Sequence, residues 1–221
     1  MQKFTTPAPI TTVLDIPAGR IRFTGSERAE TTVSVRPADP ALRRDVKLAE
    51  QAEIDFRDGV LRITASASKQ YFGPSGAIEV VVELPAGSSV SAKAASTELH
   101  STGRLGEVTV ESAQGDITLE EASGLRLTTQ AGDISVGRLT GSAGITTSKG
   151  DIRITEAATG MLVLSTQAGS VSVGVAAGVS ASLDAGTSHG RIRNALQNAS
   201  GTPKVVIQAT TAYGDIEARS L

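Results

Sequence analysis

The chain has no cysteine and no tryptophan, and its 221 residues include only two histidines, two tyrosines and four phenylalanines. Without cysteine there is no disulfide framework, no thiolate metal site and no cysteine nucleophile. The two histidines, His100 and His189, are too far apart in the chain to suggest a two-histidine metal centre. So few aromatics leave little with which to stack sugars. Charge of one sign is missing too. With 21 basic and 23 acidic residues the net charge is −2, so neither a nucleic-acid footprint nor an anionic-membrane patch is expected. No apolar run approaches the roughly 18 residues of a membrane span. The opening MQKFTTPAPITTV carries no apolar signal core. These features predict a cytoplasmic chain with no membrane insertion.

What is abundant favours strands. Ser and Thr number 47, Val and Ile 33, and Ala 30, a mixture suited to pleated surfaces and tight corners. From Gly115 onward one motif recurs: GDITL at 115, GDISV at 132 and GDIRI at 150, followed by GSVSV at 169, GRIRN at 190 and GDIEA at 214. The intervals between these glycines are 17, 18, 19, 21 and 24 residues. Seven and five residues before each glycine stand small or aliphatic side chains, from Val108 and Val110 to Ile207 and Ala209. Three residues before it there is always a hydroxyl: Ser112, Thr129, Thr147, Thr166, Thr187 and Thr211. A block of 12 residues therefore keeps its spacing, while the connections vary over 5, 6, 7, 9 and 12 residues. All the drift falls at one corner.

Alternation at period two on both sides of the glycine predicts two short strands around a sharp corner. One copy cannot bury its apolar face alone; copies stacked at about 4.8 Å can. With a degenerate copy at Val90–Ser101 there are about seven copies. The fold expected is all-β, a single β-helical solenoid of short coils. Its internal stripe would run Leu99, Ile117, Ile134, Ile152, Val171, Ile192, Ile216 in chain order. The interior row loses its large aliphatic side chains at Asn194 and Ala218, which suggests a terminal coil at the C-terminal end, and the Gly corners suggest a right-handed stack. Hexapeptide β-helices need periods in multiples of six. Calcium-binding rolls need closely spaced Gly-Gly-x-Gly-x-Asp, which is absent. A β-sandwich of hairpins is the remaining alternative.

Residues 1–85 read as a β-rich cap, continuous with a solenoid over 86–221. Strands are expected at 10–16, 19–25, 31–36 and 77–84, and a loop over 66–76. Asp39-Pro40 has the form of a helix N-cap followed by proline at the first helical position, opening a short helix to about Glu50. Asp58-Gly59 predicts a hairpin pairing Phe56 with Leu61, Ile54 with Ile63 and Asp55 with Arg62.

The stretches FTTPAPI, VSVRPADP, AEQAEIDFRDG, VVVELPAGSSV and STGRLGEV, the serial GDI corners and the closing YGDI follow one another in an order that resembles the bacterial putative-adhesin family, a domain of unknown function built from β-strand repeats. The resemblance spans essentially the whole chain. It implies a β-helical binding protein and no catalytic residues.

Few side chains are candidates for chemistry. Asp116, Asp133 and Asp151 share one corner of successive copies, with Glu98 one copy earlier, an arrangement that could hold a cation. The simpler expectation is that each carboxylate accepts a backbone N–H in its own turn. The hydroxyl row can bond adjacent carbonyls, and His189 stands where other copies carry Gln, Ala, Lys or Tyr. No Gly-x-Ser-x-Gly elbow and no phosphate loop is present. The expectation is therefore no catalytic, metal or cofactor residue, and no cofactor. The protein would act as a non-catalytic interaction scaffold for a protein partner. A carbohydrate-active β-helix enzyme is the first alternative. A sensor module binding a ligand near Phe56, Tyr71 and Phe72, where cap and solenoid meet, is the second.

Overall fold

The computed structural model describes residues 1–66, 76–197 and 202–221. The protein is all-β, with one helix among the described residues, α1 at Arg43–Glu50. No helix there is long and apolar enough to cross a membrane. The chain resolves into two compact units, Met1–Gly115 and Asp116–Leu221. The cap boundary expected at 85/86 falls inside the first unit.

The first unit is built around β2 (Thr11–Ser26), one unbroken strand where two segments were expected. Its first half pairs in parallel with β5 (Val60–Thr64) and its second half with β6 (Ile78–Pro85). Along its other side it pairs in parallel with β7 (Ser89–Gln114), from Thr11 opposite Ser89 to Gly25 opposite Gly103. Beyond β6 lies β3 (Glu30–Pro37), antiparallel, and beyond that β1 (Gln2–Thr5). Period-two alternation within each half of β2 sends Leu14 and Ile16, then Ile21 and Phe23, inward, the parity changing across residues 17–20, and they pack with Leu61, Ile63, Val80 and Val82. β4 (Glu53–Arg57) closes a hairpin on β5 in the expected register, Phe56 on Leu61 and Ile54 on Ile63. Asp58 and Gly59 have φ of 52° and 74°, the left-handed pair that a two-residue hairpin turn requires.

The helix starts later than Asp39-Pro40 predicts. Its N-cap position is Leu42, and the Asp39 carboxylate instead accepts the Ala41 N–H at 2.8 Å in a turn upstream. The buried Asp45 carboxylate fixes this region, accepting N–H groups from Asp39 at 3.1 Å and Ala77 at 3.0 Å.

The second unit holds ten strands: β8 (Ile117–Ala131), β9 (Ile134–Leu139), β10 (Ala143–Lys149), β11 (Ile152–Ala157), β12 (Gly160–Ala168), β13 (Val171–Val175), β14 (Ala181–His189), β15 (Ile192–Ala195), β16 (Val205–Tyr213) and β17 (Ile216–Ser220). All its pairings are parallel, and they preserve the 12-residue block: Leu125, Ala143, Leu162 and Ile207 align, as do Ile117, Ile134, Ile152 and Val171. Every one of these eight side chains is buried.

The order of the last two coils differs from the chain order. β16 lies between β12 and β14, and β17 lies between β13 and β15. The internal stripe therefore runs Ile117, Ile134, Ile152, Val171, Ile216, Ile192. The terminal coil of the stack is Ala181–Ala195, not the C-terminal one. The side chains explain why. In an internal coil Asn194 would face Val173 and Ala218 with no partner for its amide. At the edge it is exposed, and its Oδ1 accepts the Leu196 N–H at 3.1 Å. Ile207, Ala209, Ile216 and Ala218 carry no such penalty and are at most 1% exposed.

Candidate functional site

The recurring corner brings a glycine and a hydroxyl together in each coil, with an aspartate after the glycine in four of the six: Asp116, Asp133, Asp151 and Asp215. Gly150 has φ of 144°, and a Cβ there would lie 2.0 Å from the Gly132 carbonyl oxygen. Glycine is needed for both reasons, the backbone angle and the close approach. The corner backbone then pairs coil to coil. The N–H of Gly132 donates to Lys149, Gly150 to Ala168, Gly169 to Tyr213 and Gly214 to His189, at 2.8–3.0 Å. This ladder follows the same order as the strands.

The aspartates continue it. Asp116 Oδ1 accepts the Asp133 N–H at 2.9 Å, and Asp133 Oδ1 accepts the Asp151 N–H at 2.8 Å. Asp151 Oδ1 accepts the Ser170 N–H at 2.7 Å. Further on, Ser170 Oγ accepts the Asp215 N–H at 3.3 Å, and Asp215 Oδ1 accepts the Arg191 N–H at 2.8 Å. Each carboxylate thus ties its coil to the next one. The expectation of a bond within the same turn is corrected: the N–H that needs a partner at each corner belongs to the following coil. The carboxylates stay exposed, where water screens their mutual repulsion to about 1 kcal/mol at contact distance. Among the described residues no three of His, Asp or Glu are grouped to hold a metal ion.

The hydroxyl row works on the same backbone. Thr166, Thr211 and Thr187 donate to the corner carbonyls of Gly150, Gly169 and Gly214 at 2.9–3.0 Å. Ser112, Thr129 and Thr147 donate to carbonyls two residues on, at 2.8–3.3 Å. Both sets serve the corner itself.

The other expected candidates are scattered. His189 stacks on Tyr213 with ring centroids 4.8 Å apart and planes 13° apart. The two are register partners on β14 and β16, and both are exposed. Phe56 packs on Phe4 at 5.2 Å; Tyr71 and Phe72 lie outside the described residues. Glu98 pairs with Arg20 at 3.2 Å, and His100 stands beside Arg22 across the β2–β7 pairing.

These last residues belong to a feature that the repeat analysis missed, the outer face of β3, β6, β2 and β7. The registers set Arg36, Glu79, Arg20 and Glu98 in one cross-strand row of alternating sign. The next row is Ser34, Val81, Arg22 and His100. Arg22 Nη1 is 3.8 Å from Glu79. Glu83 takes a hydrogen bond from Arg28 and another from Thr32 at 2.9 Å. The Arg28 hydrogen bond, followed by that from Thr32, holds the Glu83 carboxyl below its ordinary range. Arg22 lines a shallow groove on each side of itself, one of about 320 Å³ toward Arg36 and Glu79, the other of about 580 Å³ toward His100. Parity marks each of these residues as outward. No repeat marks the row, because its charges come from strands far apart in sequence.

Known proteins are similar to this one. A putative adhesin from Bacteroides fragilis is similar in fold, with a TM-score of 0.60 at 14% identity, over 98% of this chain and 95% of that one. A putative lipid binding protein from Parabacteroides distasonis aligns over 100% of this chain and 95% of that one, with a TM-score of 0.45 at 12% identity. No curated protein matches the sequence. The family description Toastrack DUF4097 matches residues 13–220, nearly the whole chain, and the protein belongs to that family.

Proposed function

We propose that the protein is a non-catalytic interaction scaffold that binds a protein partner through the outer face of β3, β6, β2 and β7. The observation that carries this reading is the row Arg36–Glu79–Arg20–Glu98, which presents alternating charge across four strands beside two shallow grooves. Alternating charge on a rigid sheet selects a partner by register more than by net attraction. The polar groups of the Gly-Asp corner, by contrast, are committed to the backbone of neighbouring coils. Membership of a family of unknown function adds no catalytic residue. The same proposal takes the repeats as about seven coils of a right-handed β-solenoid, a rigid support for such a face.

The test is partner capture from the native host after cross-linking. Wild type is compared with Arg20→Glu/Arg22→Glu and with a control, Thr128→Glu/Thr146→Glu, on the second unit. A protein retained by wild type and control, and lost by the arginine variant at unchanged melting temperature, supports the reading. Equal retention by all three contradicts it.

A further inference from the structure

Of three adjacent rows on the outer face of β3, β6, β2 and β7, the middle one lacks an acid. In the row before it Arg20 Nε donates to the Glu98 carboxylate at 3.2 Å. In the row after it Glu83 accepts from Arg28 and Thr32, and the Thr102 hydroxyl donates to Thr24 at 3.2 Å. The row between them reads Ser34–Val81–Arg22–His100. Arg22 and His100 are register partners on β2 and β7, and both are exposed. The Glu79 carboxylate lies 3.8 Å from Arg22, in the neighbouring row, beyond hydrogen-bond reach. His100 has no hydrogen-bond or ion-pair partner among the described residues.

Cross-strand neighbours on a sheet are most favourable when their charges oppose, and an acid from outside would complete this row as Glu98 completes the one before it. The groove of about 580 Å³ that Arg22 and His100 line together opens to solvent there. It offers guanidinium and imidazole N–H donors to a carboxylate. On the other side of Arg22, the groove of about 320 Å³ is lined by half-buried Val81 and by Met1, which is 83% exposed. From the midpoint of Arg22 and His100 to Val81 is one and a half strand spacings, about 7 Å. Two residues of an extended chain cover nearly the same distance. Alternate side chains of one extended segment therefore reach both grooves, the first through charge and the second through apolar contact. Inorganic phosphate would gain nothing from the second groove.

We propose that the protein partner docks through an extended acidic segment, in which a Glu or Asp side chain bridges Arg22 and His100 and an aliphatic side chain two residues away rests on Val81. The inference rests on the binding face proposed above and names the chemistry which that face recognises.

The probe is the peptide acetyl-Thr-Glu-Ser-Val-Thr-amide, titrated into the isotope-labelled chain and followed by amide and arginine side-chain NMR. Shifts are expected at residues 20–24, 79–83 and 98–102, and none with the peptide carrying Gln in place of Glu. Arg22→Gln and His100→Gln should each weaken binding by about threefold to fivefold, the range of an exposed ion pair. Arg126→Gln removes an exposed arginine from β8 and should leave binding unchanged. Absent shifts, or shifts that spread equally to Arg126 and Arg153, overturn the proposal. So does inorganic phosphate that displaces the peptide at equal concentration, since the patch would then be a site for free oxyanions. Capture of the partner separates this inference from the reading beneath it. A partner lost by Arg20→Glu/Arg22→Glu, yet retained by Arg22→Gln/His100→Gln at unchanged melting temperature, keeps the binding face and removes the acidic segment. Retention by both variants removes both.

Discussion

The coils Ala181–Ala195 and Val205–Ser220 carry the same 12-residue spacing, yet their interior rows meet opposite fates. Ile192 is 47% exposed and its counterpart Ile216 is 1% exposed. Leu183 is half-buried where Ile207 is sealed. Nothing in the spacing distinguishes the two coils. What separates them is the quality of the row: Asn194 lies in one and Ala218 in the other. A stack of near-equivalent coils therefore sorts its members by what each would bury, and chain order yields when a connection is long enough to permit it. The connection that steps back across the edge coil is the longest, 12 residues between blocks.

The largest expected effect puts this sorting to the test. Ile216→Asp, like Ile134→Asp deeper in the stack, should cost about 4 kcal/mol or more by burying an unpaired carboxylate. Ile192→Asp, at the equivalent position of the edge coil, should cost about 1 kcal/mol or less. Equal losses in chemical denaturation would erase the distinction between the coils. Gly150→Val comes next, at about 3 kcal/mol, since it forces a branched side chain into a positive φ and against the Gly132 oxygen. A melting temperature within a degree or so of wild type would show that the corner can relax.

Smaller effects sharpen a second contrast, between the carboxylates of the two units. Asp133→Ala should cost about 1 kcal/mol through the orphaned Asp151 N–H, and Asp133→Asn only a few tenths, because an amide oxygen still accepts. Millimolar calcium should leave the melting temperature unchanged, as the corner offers far fewer oxygens than the six to eight calcium takes. Calcium stabilisation that disappears in Asp133→Asn would make the corner a binding site. Glu83 gives the smallest effect. Its folded pKa lies below the ordinary 4.5, so its contribution is present above that pH and is lost as pH falls through the folded value. With the side chain 44% exposed, screening limits this to well under about 1 kcal/mol. Glu83→Gln should flatten the acid limb of stability by that amount, and an unchanged limb would argue against the Arg28 pairing.

The corner glycines, the buried rows and the hydroxyl row were legible because each is local and repeats. The hairpin at Asp58-Gly59 was legible because its turn chemistry is nearly unique. Asp39-Pro40 misled because Asp39 can cap a turn as well as a helix, and Ala41 took its carboxylate. The aspartates were found, but their partners lie 17 to 19 residues away on the next coil, and that depends on the stacking. The charged row of the first unit and the insertion of the last coil both arise from pairing between distant segments. Spacing alone does not encode them, although the polar Asn194 beside the longest connection was a usable sign.

Amide hydrogen exchange across the last two coils tests the stack order most directly. β16 and β17 have strands on both sides, while β14 and β15 have one neighbour each among the described residues. The structure predicts near-global protection over Val205–Tyr213 and Ile216–Ser220. It also predicts fast exchange at about half the amides of β14 and β15, those that point away from the stack. The reverse pattern, with residues 181–195 protected and 205–220 open, would restore chain order and contradict the inserted coil.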